Sequence, residues 1–141
     1  MHPYRRLLVW KKAHALAVHA RAATCHCRAP DLALQIRRAA ASVPTNIVEG
    51  AGSQSNGQFV RYLGIALASS QETEYLLLLA RDTSAIGAGH HKALSAECEE
   101  VQRMLGGLIA AIRRGMRAGA TAGRAPISQS DASACNDKGA P

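Results

Sequence analysis

A helical pattern interrupted by a proline, between Leu32 and Gly52, constrains this chain more than any other feature. Large apolar residues recur through it at the spacing of one helix face, which predicts that this face is buried. Pro44 lies inside the pattern. Because proline lacks a backbone N–H and clashes with the preceding turn, the helix is predicted to bend or break there. Gly50 and Gly52 then predict that the chain leaves the helix through a left-handed conformation.

Three further segments have helical periodicity. One is predicted to run from Leu7 to Thr24, and a longer one from Ser55, whose spacing to Gln58 is typical of a capping box, to about Ser84. The last follows a glycine-rich turn, and its apolar residues step by four and three, which is typical of a coiled-coil seam. The seam residues are Leu94, Cys98, Val101, Leu105, Leu108 and Ile112. Short connections predict an all-α, up-and-down four-helix bundle in which helix 2 is bent near Pro44.

The bundle is predicted to occupy residues 1–117 as one domain. Residues 118–141 are dominated by small residues, Gly, Ser and Pro, which predicts a disordered, low-complexity tail. The apolar run near the N-terminus is interrupted by lysines and histidines, unlike an export signal, and no segment is long and apolar enough to cross a membrane. We therefore expect a cytoplasmic protein with no membrane partner.

The cysteines predict neither a disulfide scaffold nor a metal centre. Nothing else in the chain suggests a secreted, loop-rich protein, so the four cysteines are expected to be reduced thiols. Cys25, His26 and Cys27 are adjacent, but their spacing is tighter than that of usual zinc ligands and no matching pair follows. No metal and no cofactor is predicted.

The Pro44 segment also carries a family resemblance. Arg37-Arg38-Ala39, followed by SVPTNIVEG from Ser42 to Gly50, resembles the RRAxxSIPANIAEG signature of four-helix bundle proteins first noticed as open reading frames inside intervening sequences of large-subunit ribosomal RNA genes. LVWKKAH at 8–14 and the run from Phe59 to Glu74 are similar to two other family motifs. The resemblance implies a homo-oligomer, specifically a pentameric ring. It extends to accessory proteins of diversity-generating retroelements, which implies RNA or DNA and a reverse transcriptase as candidate partners.

The charge of the chain points to an anionic partner. Lysines and arginines number 17 against 10 acidic residues, a formal net charge of +7. The whole excess lies in residues 1–117, and a folded basic body most often indicates nucleic acid. The arginines predicted to contact phosphates are Arg37, Arg38, Arg61, Arg81, Arg103, Arg113, Arg114 and Arg117. The alternative for these residues is a solvated face whose cations complement helix C-termini.

Four polar residues fall close to the predicted apolar stripes. Asn46, Glu49, Glu72 and Glu74 are predicted to form a buried polar network that fixes helix register. A catalytic or di-metal function for these carboxylates is not favoured, because the Glu-x-x-His pairs of metal-binding bundles do not occur in the sequence. No catalytic residue is predicted, since a nucleophile elbow and a glycine-rich phosphate loop are also absent from the sequence.

The sequence favours a non-enzymatic, basic, oligomeric bundle that binds RNA or DNA through its phosphates. Aromatic residues make up only 4% of the chain, so base stacking should contribute little. The predicted third helix is apolar along two stripes, which indicates a subunit interface in addition to its own core. The alternative function is a protein-interaction scaffold that does not bind nucleic acid directly.

Overall fold

The computed structural model describes residues 2–123 of the protein. A short 3₁₀ turn, Tyr4–Arg6, is followed by four helices: α1 (Leu8–Ala23), α2 (Pro30–Ala51), α3 (Asn56–Asp82) and α4 (Ala88–Ala122). α1 packs against α2 and α4, and α3 packs against the same two helices, so consecutive helices are neighbours around a four-sided bundle. The predicted all-α, up-and-down four-helix bundle is confirmed.

The core is built from the apolar stripes that the sequence predicted. Every helix contributes fully buried aliphatic residues, among them Leu16, Ile36, Leu63 and Leu105. The seam of α4 is buried at Leu94, Cys98, Val101 and Leu105, and continues through Ile109. Apolar side chains at this spacing lie on one face of a helix, so burial of that face holds the four helices together.

α2 continues through Pro44, so of the predicted bend or break the break is not found. Pro44 itself is buried. The two residues that follow it supply side-chain donors to carbonyls of the preceding turn: Thr45 Oγ1 to Ala41 O at 2.8 Å, and Asn46 Nδ2 to Ser42 O at 2.8 Å. These bonds give the turn before the proline side-chain donors in addition to the backbone N–H groups, a pattern that often bends a helix. The acceptor that Pro44 leaves without its usual N–H partner is Ala40 O, and neither bond goes to it.

The prediction of a left-handed exit from α2 is wrong. Gly52 has φ −81° and ψ −8°, and within the described residues no glycine has a positive φ. Gly50 instead allows α2 and α3 to approach closely, because a Cβ placed there would lie 2.9 Å from both Phe59 Cδ2 and Tyr62 Cβ. The only described non-glycine residue with positive φ is Ser84, in the turn after α3.

The antiparallel arrangement gives the bundle two ends, which we name after their turns. The Gly52 end contains the start of α1, the α2–α3 turn and the C-terminal half of α4, and the Gly87 end contains the end of α1 and the α3–α4 turn. α4 is the longest helix, with 35 residues, and its last turns extend beyond the Gly52 end, where all residues from 113 to 123 are exposed. Residues 118–122, predicted to begin a disordered tail, are therefore helical, and 124–141 lie outside the described residues.

Candidate nucleic-acid interface

The outer face of α4 carries a strip of exposed arginines. Arg103, Arg113, Arg114 and Arg117, which we call the arginine strip, are all exposed. At 3.6 residues per turn they fall within an arc of about 100° and extend over about 21 Å of helix. The arc is roughly opposite the buried seam, as the sequence predicted for these residues.

Further cations lie at the same end of the bundle. Arg5 and Arg6 precede α1, Lys11 lies in its second turn, and Arg61 lies near the start of α3; all four are exposed. Sequence reasoning missed Arg5, Arg6 and Lys11 as site residues, although the signal was available, because residues 1–30 contain no Asp or Glu. The fold places this acid-free start beside the C-terminal half of α4, which is also acid-free from residue 101 to 123. The Gly52 end is therefore strongly basic.

Ion pairing neutralises few of these cations. Lys12 lies 3.3 Å from Glu100 across the α1–α4 contact, and it is the one lysine or arginine at this end that forms an ion pair within the described residues. Within the described residues, the arginine strip therefore keeps its charge for an external anion. Arg5 is partly engaged, because its Nε donates to Tyr4 Oη at 3.3 Å.

The predicted arginine surface is not continuous, because three of its eight members lie toward the Gly87 end. Arg37 donates from Nε to Thr24 Oγ1 at 2.9 Å and from Nη2 to Thr24 O at 3.2 Å, so it caps the C-terminus of α1. Arg81 donates from Nε to Asp82 Oδ1 at 2.9 Å. Arg38 is exposed, but it lies in the third turn of α2, far along the bundle from the arginine strip. Linear sequence placed these residues in one group only because it does not show which end of the bundle they occupy.

The four residues of the predicted polar network do not meet. Asn46 Nδ2 bonds to Ser42 O and, at 3.0 Å, to Ser42 Oγ, which in turn lies 2.9 Å from Ser69 Oγ of α3. Glu74 accepts a separate bond of 2.7 Å from Gln102 Nε2 of α4. Glu49 and Glu72 are exposed. Small hydroxyl groups fit the helix contacts at lower desolvation cost than carboxylates, so serine, not glutamate, joins α2 to α3.

The cysteines and histidines are not arranged as a reactive or metal-binding centre. Within residues 2–123 no three His, Cys, Asp or Glu side chains are grouped to hold a metal ion. Cys98 is fully buried, and burial, reinforced by the nearby Glu74, raises the pKa of its thiol to about 12, which keeps it protonated and unreactive. Cys25 and Cys27 are free thiols, and Cys27 Sγ donates to Ala29 O at 3.4 Å. None of the described helices is long and apolar enough to span a membrane.

Comparison with known proteins identifies relatives of the bundle. The family model for the 23S rRNA-intervening sequence protein matches residues 5–107. A crystal structure of a protein of unknown function from the S23 ribosomal protein family of Bacteroides thetaiotaomicron is similar, with a TM-score of 0.69 and 27% identity over 73% of this chain and 96% of that one. No curated protein matches the chain. The matched region includes Arg103 and ends before Arg113, Arg114 and Arg117. The predicted family resemblance is confirmed: the chain belongs to the 23S rRNA-intervening sequence protein family.

Proposed function

We propose that this protein is a non-enzymatic, oligomeric helical bundle that binds RNA or DNA through phosphate contacts at its Gly52 end. The observation that carries the proposal is the arginine strip, an acid-free row of exposed guanidinium groups on a helix that extends beyond the bundle. Guanidinium groups bind phosphate oxygens in bidentate geometry, and their charge remains available here because ion pairs engage other cations.

Binding through this surface should be largely independent of base sequence. Phe59 is buried, and Trp10 is half-buried and engaged with the rings of Tyr4 and His14, with centroids 5.0 and 5.1 Å away. These aromatic rings are therefore not free to stack on bases, which reduces the usual contribution to single-strand affinity. The exposed Tyr75 lies in the second half of α3, away from the arginine strip. Phosphate contacts position a protein on nucleic acid without reading its sequence.

Homo-oligomerisation is part of the proposal. The second stripe of α3 consists of Ile65, Ala68, Glu72, Leu76 and Leu79. It is exposed except at Leu76, and Ile65 and Leu79 keep 40% and 37% of their surface. Tyr75, which precedes Leu76 of this stripe in the chain, is 61% exposed. An apolar helix face of this kind supports burial against another copy of the chain, with the pentameric ring implied by the resemblance as its form. Several strips in one assembly would bind a long polyanion with avidity, as an accessory factor to an enzyme such as a reverse transcriptase requires.

The test is fluorescence anisotropy with labelled RNA, single-stranded DNA and duplex DNA over a salt series, with the mass of the assembly measured alongside. The variant is Arg113→Glu, Arg114→Glu, Arg117→Glu. The matched control is Arg21→Glu, Arg38→Glu, Lys92→Glu, which makes the same change in net charge at exposed positions toward the Gly87 end. The control includes Arg38 because the sequence assigned it to the site and the fold does not.

We expect the logarithm of the wild-type binding constant to fall linearly with the logarithm of salt concentration. Loss of three phosphate contacts should reduce that slope by about 2 to 3, whereas the control should retain most of the slope. Equal losses in both variants would show that net charge, not the strip, determines binding. No binding at low salt would reject the nucleic-acid function and favour the protein-interaction scaffold, for which the exposed face of α3 is the surface to test.

A further inference from the structure

A second basic feature lies at the opposite end of the molecule. An open cleft of about 600 Å³ lies between the end of α1, the α3–α4 turn and the start of α4. We call it the basic cleft, because the charged and imidazole side chains that line it are His26, Arg28, Arg81 and His90. No acidic residue is among its lining residues. Its volume is in the range of small-molecule sites.

The walls of the basic cleft present few free acceptors. Two helices end there, and several of their terminal carbonyls are already hydrogen-bonded. At the end of α1, Thr24 Oγ1 donates to Ala20 O at 2.8 Å and Arg37 Nη2 donates to Thr24 O at 3.2 Å. At the end of α3, Ala80 O accepts from the N–H groups of Ala85 and Ile86 at 2.8 and 3.3 Å. These bonds satisfy part of the acceptors at the two helix C-termini.

Among the donors around the cleft, Arg81 is paired with Asp82 at 2.9 Å, whereas within the described residues Arg28 forms no ion pair and the start of α4 has no cap. α4 begins beside it with Gly87 as its N-cap, and neither a side-chain cap nor an acidic residue occupies its first turn. Gly87 and Gly89 are exposed, and a Cβ at either position would meet nothing within 4 Å, so the start of α4 faces open space. The backbone N–H of Arg28 donates to Ala85 O at 3.3 Å, which fixes the segment after α1 against the α3–α4 turn. Basic side chains from two separate segments therefore flank a helix start that has free donors.

We propose that the basic cleft binds a phosphate monoester, either a free mononucleotide or the 5′-phosphate of a nucleic-acid strand. A terminal phosphate carries close to two negative charges and three acceptor oxygens, which match the Arg28 guanidinium, the imidazoles of His26 and His90, and the uncapped backbone N–H groups at the start of α4. Arg81 also lines the cleft, but its guanidinium is already paired with Asp82. A phosphodiester inside a strand has one charge and fewer free oxygens, so it suits this concave site less well. The site is independent of the arginine strip, which lies at the other end of α4.

The test measures binding of inorganic phosphate, adenosine 5′-monophosphate and adenosine by calorimetry with the full chain. A second arm compares one RNA oligonucleotide bearing either a 5′-phosphate or a 5′-hydroxyl, using the Arg113→Glu, Arg114→Glu, Arg117→Glu variant so that backbone binding is suppressed. The decisive variant is Gly87→Asp, whose backbone already has N-cap geometry with φ −73° and ψ 154°. Its carboxylate should accept the free N–H groups and repel a phosphate. Gly87→Ala is the matched control, since it adds a Cβ without an acceptor.

We expect both phosphate probes to bind saturably and adenosine not to bind. Gly87→Asp should weaken phosphate binding by at least about tenfold while its Tm stays equal to or above that of the wild type, so the loss does not reflect unfolding. Arg28→Gln with His90→Gln should weaken it similarly, and Gly87→Ala should not. A preference for the 5′-phosphorylated RNA without binding of the mononucleotide would identify a strand end as the ligand.

Three results would overturn the proposal. The first is failure of all phosphate probes, including the phosphorylated RNA. The second is equal affinity for adenosine and its monophosphate. The third is phosphate binding that survives Gly87→Asp and disappears in the arginine-strip variant, which would locate the anion at the strip instead. Each result leaves the salt-dependent binding of nucleic acid at the Gly52 end to be judged by its own experiment.

Discussion

The close approach of α2 and α3 at Gly50 predicts opposite effects for the same substitution at different glycines. In Gly50→Ala, the new Cβ would lie 2.9 Å from Phe59 Cδ2 and 2.9 Å from Tyr62 Cβ. The ring of Phe59 can rotate, but Tyr62 Cβ moves only with the backbone of α3, so the helices must separate. Overpacking of this kind costs about 1 to 3 kcal/mol, and the better helix propensity of alanine returns about 1 kcal/mol.

We expect Gly50→Ala to lower the free energy of unfolding by up to about 2 kcal/mol, which corresponds to a Tm lower by up to about 8 °C. The matched controls are Gly64→Ala and Gly106→Ala, both inside helices, where a Cβ would meet nothing within 4 Å. Each control should gain about 0.5 to 1 kcal/mol, because alanine reduces the entropy of the unfolded chain. The assay is urea unfolding followed by circular dichroism at one protein concentration. A Gly50→Ala variant as stable as the controls would refute the close-contact explanation.

Three other predictions concern individual side chains. Arg37→Ala should lower the free energy of unfolding, measured in urea, by about 1 to 3 kcal/mol, because Thr24 loses two charge-assisted hydrogen bonds. An unchanged free energy of unfolding would contradict the capping role of Arg37. Asn46→Leu should cost about 1 kcal/mol by the same assay through loss of its bonds to Ser42, and unchanged melting would contradict this. The pKa of Cys98 is raised from 9.0 to about 12, so its protonated thiol stabilises the fold fully below pH 9, and this contribution is lost as the pH rises from 9 toward 12. At pH 10.5 the wild type should lose about 2 kcal/mol relative to Cys98→Ala, whereas parallel pH curves would contradict the shift.

The local rules of helix formation were readable from the sequence, and most of them held. The serine half of the predicted capping box is confirmed, since Ser55 Oγ accepts the backbone N–H of Gln58 at 3.2 Å; the described hydrogen bonds do not include the return bond to the Gln58 side chain. The start of α1 was placed within one residue, at Leu7 instead of Leu8. These features depend on residues within a turn or two of each other, so periodicity and capping chemistry are enough to predict them.

Pro44 and Gly50 show where packing decides what local rules leave open or miss. Proline predicts a bend or a break when only its own turn is considered, and α2 continues through a proline that is buried in the core. A glycine near a helix end predicts a left-handed cap, but Gly50 is needed because a neighbouring helix lies against it. In both cases the deciding contact comes from packing, which outweighs propensity.

The sequence by itself determined that this protein is a basic, all-α bundle of the 23S rRNA-intervening sequence protein family, because helical periodicity, composition and the signature around Pro44 are all properties of the linear chain. Only the tertiary structure decided which charges act together. It separated Arg37 and Arg81 from the arginine strip, brought the acid-free start of the chain beside the acid-free end of α4, and formed the basic cleft from α1, α3 and α4. The physical reason is that Coulomb interactions and hydrogen bonds depend on distance in space, and residues far apart in the sequence become neighbours only when the helices pack.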